Sequence, residues 1–427
     1  MNNLKISKSK KHYEQAKKII PLASQTFSKS CKLFDKEFFP LFAKRGHKQI
    51  IEDIDGNKFI DLINGLGAVS LGYSLKNFNK SLIKSLNNGI TFSLAHKIEH
   101  SVSKELIKII PSAEMVRFGK NGTDANSAAI RLARYYTKRD HIAICGYHGW
   151  QDWYITSTNM NGGIPKETKK FTHVIEFNNV ESVKKVFKKY NLAAVMLEPI
   201  AAYLPDQKFL KTLKKLCKKN RTVLIFDEIC TGFRVSLGGA QKILKVKPNL
   251  STFGKAMGNG FPISALVGER KIMKNFDKVF YSGTFGGETL SLEACKQTIQ
   301  FLKKNNSIKK NISKGTYLIK NFNKLSKKYD LQNNIFLNGH PSWPFLIIKN
   351  FSAKRQREIK TYFMQEYALN KILFFGGYNI NVSHTFKDLK KIIKISEKIL
   401  SNLYNSSCKT KNILIAKPAT PILKIRN

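Results

Sequence analysis

Apolar and polar positions alternate along Ile50-Ile-Glu-Asp-Ile-Asp-Gly-Asn-Lys-Phe-Ile-Asp61, and Asp55-Gly56-Asn57 breaks the alternation, a pattern that predicts a hairpin. From about residue 100 the pattern changes. Short apolar runs over 115–118, 141–145, 193–197 and 223–226 predict strands. Between and around them, helical-period stretches over 101–110, 127–138, 183–190, 207–218 and 290–303 predict helices, with a loop over 119–126. The run Val223-Leu-Ile-Phe226 is wholly apolar, as strands buried on both faces of a parallel sheet are. This alternation predicts an α/β fold with a mixed, mostly parallel sheet in a large domain over 76–303. A smaller α+β domain is expected from both termini. It would combine an N-terminal arm and hairpin over 1–75 with helices and strands over 304–404, namely helices at 308–329 and 387–404 and strands within 336–350 and 372–382. A basic tail, 405–427, closes the chain.

Composition changes this picture little. A chain of 427 residues can bury a large core. Its formal net charge of +45 comes from 74 Lys+Arg against 29 Asp+Glu. These basic residues are spread along the whole chain, and no zinc-finger, RNP-like or basic-zipper pattern accompanies them, so no nucleic-acid partner is expected. Cys31, Cys145, Cys217, Cys230, Cys295 and Cys408 lie far apart, without metal-ligand spacing or the density of a disulfide framework. A reducing cytoplasm is the expected location. Residues 1–18 lack an apolar core of the secretory type, and no apolar run approaches the ~20 residues of a membrane span, so no membrane partner is expected.

In an open α/β sheet, ligands sit outside the carboxyl ends of the strands, so the residues presented there carry the candidate chemistry. Asn121-Gly122-Thr123-Asp124 opens a helix, and its backbone N–H groups and threonine hydroxyl suit a phosphate; the same residues also suit an ordinary N-cap. Tyr147-His148-Gly149 follows the next strand, and Tyr147 either stacks on a flat ring or packs into the core. Glu198 ends an apolar strand, where a carboxylate needs a partner. Asp227 ends the most hydrophobic strand. A carboxylate there would pair well with a protonated ring nitrogen, and Ile229, two residues on, would form an apolar platform under the ring. Lys255 lies in the glycine-flanked run Leu250-Ser-Thr-Phe-Gly-Lys-Ala-Met-Gly-Asn-Gly-Phe-Pro262. Partly desolvated, it would lose basicity and attack carbonyls; the bland alternative is a solvated loop lysine. Thr284, in the glycine-rich turn 281–289, is a further candidate phosphate ligand. Together these are the parts needed to hold pyridoxal 5′-phosphate (PLP).

The same stretches resemble the class III, fold type I PLP aminotransferases, and most of all the glutamate-1-semialdehyde 2,1-aminomutase group. The resemblance rests on Asp53-Ile-Asp-Gly-Asn57, Asn121-Gly-Thr-Asp124 with Ala129-Ile-Arg-Leu-Ala-Arg134, Tyr147-His-Gly149, Asp227-Glu-Ile-Cys-Thr-Gly-Phe-Arg-Val-Ser-Leu-Gly-Gly-Ala-Gln241 and Gly254-Lys-Ala-Met-Gly-Asn-Gly-Phe-Pro262. It implies a homodimer with active sites at the interface. Lys255 would form the Schiff base and shuttle a proton, and Asp227 would pair with the pyridine nitrogen. Tyr147 and Ile229 would sandwich the ring, while Asn121, Gly122 and Thr123 would bind phosphate. His148, Glu198 and Asp124 would support the site, and Thr284 would reach the phosphate of the neighbouring subunit's cofactor. Two departures set the chain apart from the mutase. Lys29 stands where the mutase has a carboxylate-binding arginine, and the 283–289 turn lacks the usual Ser-Gly-Asn continuation. Transamination between an amino donor such as glutamate and an aldehyde or ketone is therefore favoured over the mutase reaction, which remains the alternative.

Overall fold

Residues 4–33, 35–410, 413–415, 417–419 and 423 are described by a computed structural model of the chain. It divides into two compact units, Met1–Leu75 with Lys309–Ile422 and Lys76–Ile308 with Leu423–Asn427. In the first unit, strands β1 (Ala43–His47), β2 (Ile50–Asp53) and β3 (Lys58–Asp61) pair antiparallel in sequence. The turn between β2 and β3 takes the form that Asp-Gly-Asn predicts. Gly56 adopts φ +86°, and Asp53 Oδ1 accepts the Asn57 N–H at 2.7 Å.

The second unit is built on seven strands: β4 (Met115–Gly119), β5 (His141–Cys145), β6 (Thr172–Val174), β7 (Leu192–Leu197), β8 (Val223–Asp227), β9 (Leu250–Phe253) and β10 (Ser264–Gly268). Their order across the sheet is β4-β10-β9-β8-β7-β5-β6. The run β9-β8-β7-β5-β6 is parallel, and β10 runs antiparallel to both of its neighbours. The period-2 alternation of the central strands explains why helices cover both faces. Ile142, Ile144, Ala194, Met196, Val223 and Ile225 pack with the Gly122–Thr137 helix. The intervening Ala143, Cys145, Val195, Leu197, Leu224 and Phe226 pack with the Gln207–Lys219 helix. Every residue of β7, β8 and β10 is buried. Because the strands are parallel, β5, β7, β8 and β9 deliver their carboxyl ends to one edge of the sheet. The reversed β10 brings Ser264, its first residue, to that edge opposite Gly119.

Back in the first unit, β11 (Ile335–Asn338) pairs with β12 (Phe345–Ile348), and the two-residue β13 (Ile372–Leu373) adds to β3 in parallel. Among the described residues, no helix is long and apolar enough to cross a membrane.

The structure departs from the pattern-based reading at several places. The helix expected at 127 begins at Gly122, because Asp124 Oδ2 accepts the Asn121 N–H at 2.7 Å and starts the helix early. Strand β10 was not predicted. Of the strand expected within 372–382, only Ile372–Leu373 forms. The helix Ala353–Leu369 was not predicted either. Its buried positions include Ile359, Thr361, Tyr362, Phe363, Met364 and Gln365, which leaves no single apolar stripe to read. The tail expected over 405–427 is described in part. The last long helix runs to Asn405. Beyond it, Ile413 O accepts from Gln365 Nε2 at 2.9 Å, Ile415 N–H donates to Gln365 Oε1 at 2.7 Å, and Ala419 N–H donates to Thr361 Oγ1 at 2.9 Å. These residues run along the Ala353–Leu369 helix. Residues 411, 412, 416, 420–422 and 424–427 of the tail lie outside the described residues.

Candidate active site

The sheet edge gathers most of the expected residues. At the start of the Gly122–Thr137 helix, Asn121 is the N-cap and Thr123 is buried. Thr123 Oγ1 has no hydrogen-bond partner, although it lies at a helix N-terminus where donors and a positive dipole end favour an anion. The loop after β5 closes over it. Gly149 has φ +114°, and a Cβ there would stand 2.4 Å from Thr123 Oγ1, so only glycine permits this approach.

Asp227 is buried at the end of β8. Its Oδ2 contacts His148 Nδ1 at 2.7 Å and accepts from Asn126 Nδ2 at 2.8 Å, while Oδ1 accepts the Ile229 N–H at 3.1 Å. Asn126 is locked in turn, because its Oδ1 accepts from Thr252 Oγ1 at 2.6 Å. His148 Nε2 has no partner. Ile229 is wedged between two glycines: a Cβ on Gly122 would come within 3.0 Å of it, and one on Gly254 within 3.2 Å.

Glu198 Oε2 accepts the Tyr147 N–H at 2.8 Å. Burial first, and then the charge of Asp227, push the Glu198 carboxyl above its ordinary range. Gly146, at φ +114°, makes the contact possible, since a Cβ there would lie 2.5 Å from Glu198 Oε2. Tyr147 is 51% exposed, and its ring lies nearly perpendicular to that of Tyr154, with centroids 5.6 Å apart.

Lys255 follows Gly254 and takes φ +44°, a left-handed conformation that costs a non-glycine residue of order 1 kcal/mol and gathers at functional sites. Its Nζ donates to Cys230 Sγ at 2.7 Å. The loss of basicity expected from the sequence is corrected here. Burial does push the ammonium down, but Cys230, Glu198 and Asp227 outweigh it, and the group sits above its ordinary range. The loop carrying Cys230 is anchored by Glu228, which accepts from Ala240 N at 2.7 Å, from Gln241 N at 2.9 Å and from the Thr231 hydroxyl.

Thr284 is not brought to this cluster. It lines a separate cavity of about 760 Å³ with Lys120, Asp124, Arg131 and Phe285. Asp124 caps the Gly122–Thr137 helix. Three residues of the cluster were missed from the sequence: Asn126, Cys230 and Thr252. Asn126 carried a signal, being a polar residue among the buried alanines Ala125, Ala128 and Ala129 of one helix. Cys230 and Thr252 carried none. Among the described residues, no group of three or more His, Cys, Asp or Glu could hold a metal ion.

The model of the class-III aminotransferase family matches residues 34–340. The 3-aminobutyryl-CoA aminotransferase of Cloacimonas acidaminovorans is 32% identical over 94% of this chain and 98% of its own length. The glutamate-1-semialdehyde 2,1-aminomutase of Wigglesworthia glossinidia brevipalpis is 34% identical over 94% of this chain and 99% of its own. A solved transaminase with PLP bound shares the fold with a TM-score of 0.86 at 21% identity, covering 94% of this chain and 99% of that one.

Proposed function

The chain belongs to the class-III aminotransferase family and is a PLP-dependent enzyme, and from that premise we propose that it transfers an amino group from a donor such as glutamate to an aldehyde or ketone, with Lys255 as the reacting amine. The observation that carries the assignment is Lys255 itself. Its amine is held at a strained backbone position on the sheet edge, and the carboxylates of Asp227 and Glu198 are among the charges facing it.

The residues present fit the cofactor. Thr123 Oγ1, unpartnered at a helix N-terminus, suits a phosphate. Asp227, with its orientation set by His148 and Asn126, suits a protonated ring nitrogen. Ile229 and Tyr147 offer an apolar and an aromatic surface for the two faces of a flat ring. When bound, PLP supplies an aldehyde that amines condense with and a ring that withdraws electrons from the substrate carbon. The chain's own work is then to bind, orient and move protons. Asp227 would keep the ring nitrogen protonated. Glu198 fixes the Tyr147 backbone through its N–H. Lys255 Nζ, when free, would carry the proton between the substrate carbon and the cofactor. A homodimer that brings Thr284 to the partner's phosphate belongs to this reading.

Purified protein is expected to be yellow, and Lys255→Ala colourless. A colourless wild type loaded with excess PLP would sink the assignment. The mutase reaction is the second reading, favoured by the 34% identity to a mutase. Supplying glutamate-1-semialdehyde without another amino donor separates the two, because efficient 5-aminolevulinate formation would overturn transamination as the main activity.

A further inference from the structure

Cys230 is the group in contact with Lys255 Nζ, and the assigned chemistry leaves it unused. The thiol is not placed by chance. Its loop is pinned through Glu228 to Thr231, Ala240 and Gln241, and its own carbonyl accepts from Arg234 Nε at 2.9 Å. On the other side, Lys255 is held at φ +44° directly after β9. Two rigid segments thus bring nitrogen and sulfur to 2.7 Å. An ammonium has three donors and no acceptor, so in this contact the sulfur accepts, and the contact stabilises the charged amine.

The other charged and titratable groups facing the pair come from each neighbouring strand end. They are Tyr147 after β5, Glu198 at the end of β7 and Asp227 at the end of β8, with Arg234 beside Cys230 in its own loop. The two carboxylates act in the same sense as the sulfur. A protonated amine carries no lone pair and cannot condense with an aldehyde.

We propose that Cys230 is a positioning residue for Lys255, holding its amine as a hydrogen-bonded ammonium so that capture of PLP is gated by the loss of one proton to solvent. The step balances. Lys255 Nζ gives up a proton to water and turns from Cys230 Sγ, its nitrogen bonds to the aldehyde carbon, and one water leaves. Cys230 is neither oxidised nor consumed. The inference rests on the reading of Lys255 given above.

The test follows growth of the visible absorbance band after PLP is mixed with cofactor-free protein across a pH series. Wild type, Cys230→Ser and Cys230→Ala are compared, after thermal melts confirm that each is folded. The alanine variant removes the acceptor, so the midpoint of its loading-rate profile is expected to fall by about one pH unit. The serine variant keeps an acceptor and is expected to stay with the wild type. Cys230→Val replaces alanine if alanine does not fold. Superimposable alanine and wild-type profiles would overturn the proposal, as would a serine variant that shifts as far as alanine. A wild type that never develops the band overturns the Lys255 reading and this inference together. A wild-type band that is lost in Lys255→Ala, with coincident Cys230 profiles, overturns this inference alone.

Discussion

Asp227 and Glu228 are neighbours in sequence, both carboxylates and both buried, yet they serve regions of opposite character. Glu228 is the hub of a closed loop. Both of its oxygens accept from within 231–241, and Gly239, at φ +78°, leaves no room for a side chain against it, since a Cβ would sit 2.5 Å from Glu228 Cδ. Asp227 is held as firmly, but its surroundings are incomplete. His148 Nε2 and, across the same edge, Thr123 Oγ1 are buried without partners. A protein interior seldom leaves such atoms unsatisfied without a reason. The comparison separates a carboxylate that builds the scaffold from one that the scaffold presents to a ligand, and burial alone does not tell them apart.

That contrast can be broken most decisively at Lys255. Lys255→Ala is expected to abolish both the visible band and turnover while leaving the melting temperature close to wild type; retained turnover would remove the site from this edge. Asp227→Asn keeps the shape and removes the charge. It should reduce turnover roughly a hundredfold or more, because a charge opposite a protonated ring nitrogen contributes several kcal/mol. Glu228→Gln is the mirror experiment. It turns one oxygen toward an N–H donor with an NH₂, so a stability loss of about 2–3 kcal/mol is expected by denaturant titration. The residual folded protein should keep its affinity for PLP; if turnover fell far more than stability, the distinction between the two carboxylates would fail. Thr123→Val tests the orphaned hydroxyl, with PLP binding expected to weaken roughly tenfold and stability unchanged. At the bottom of the scale, Lys170→Ala breaks an exposed pair with Glu167 and should change neither the melt nor turnover.

Much of the candidate site was legible because local chemistry announces itself. A wholly apolar strand ending in Asp227, glycines around Lys255 and an Asn-Gly-Thr-Asp helix start are patterns that a buried sheet edge imposes on nearby residues. The large α/β unit was legible for the same reason, since alternating strands and helices leave a periodic trace. Strand β10 left no such trace. It was not distinguished from the loop before it, and its place in the sheet follows from pairing antiparallel with β9, which directly precedes it, and with β4, a strand distant in sequence. The Ala353–Leu369 helix hid because it is buried on several sides at once.

By itself, then, the sequence determined which residues carry charge, hydroxyl and amine at the strand ends, and that these belong to PLP chemistry. Only the tertiary structure decided who meets whom. Asn126 locks Asp227 from a helix about a hundred residues earlier, Glu198 catches the Tyr147 backbone, and Cys230 faces Lys255 across two pinned loops. The physical reason is that a side chain's partners, and hence its protonation, depend on distances of a few ångströms between segments far apart in the chain. The expected loss of basicity at Lys255 shows the difference. Desolvation was visible in the glycine-rich, apolar setting, but the neighbours that outweigh it were brought there only by the fold.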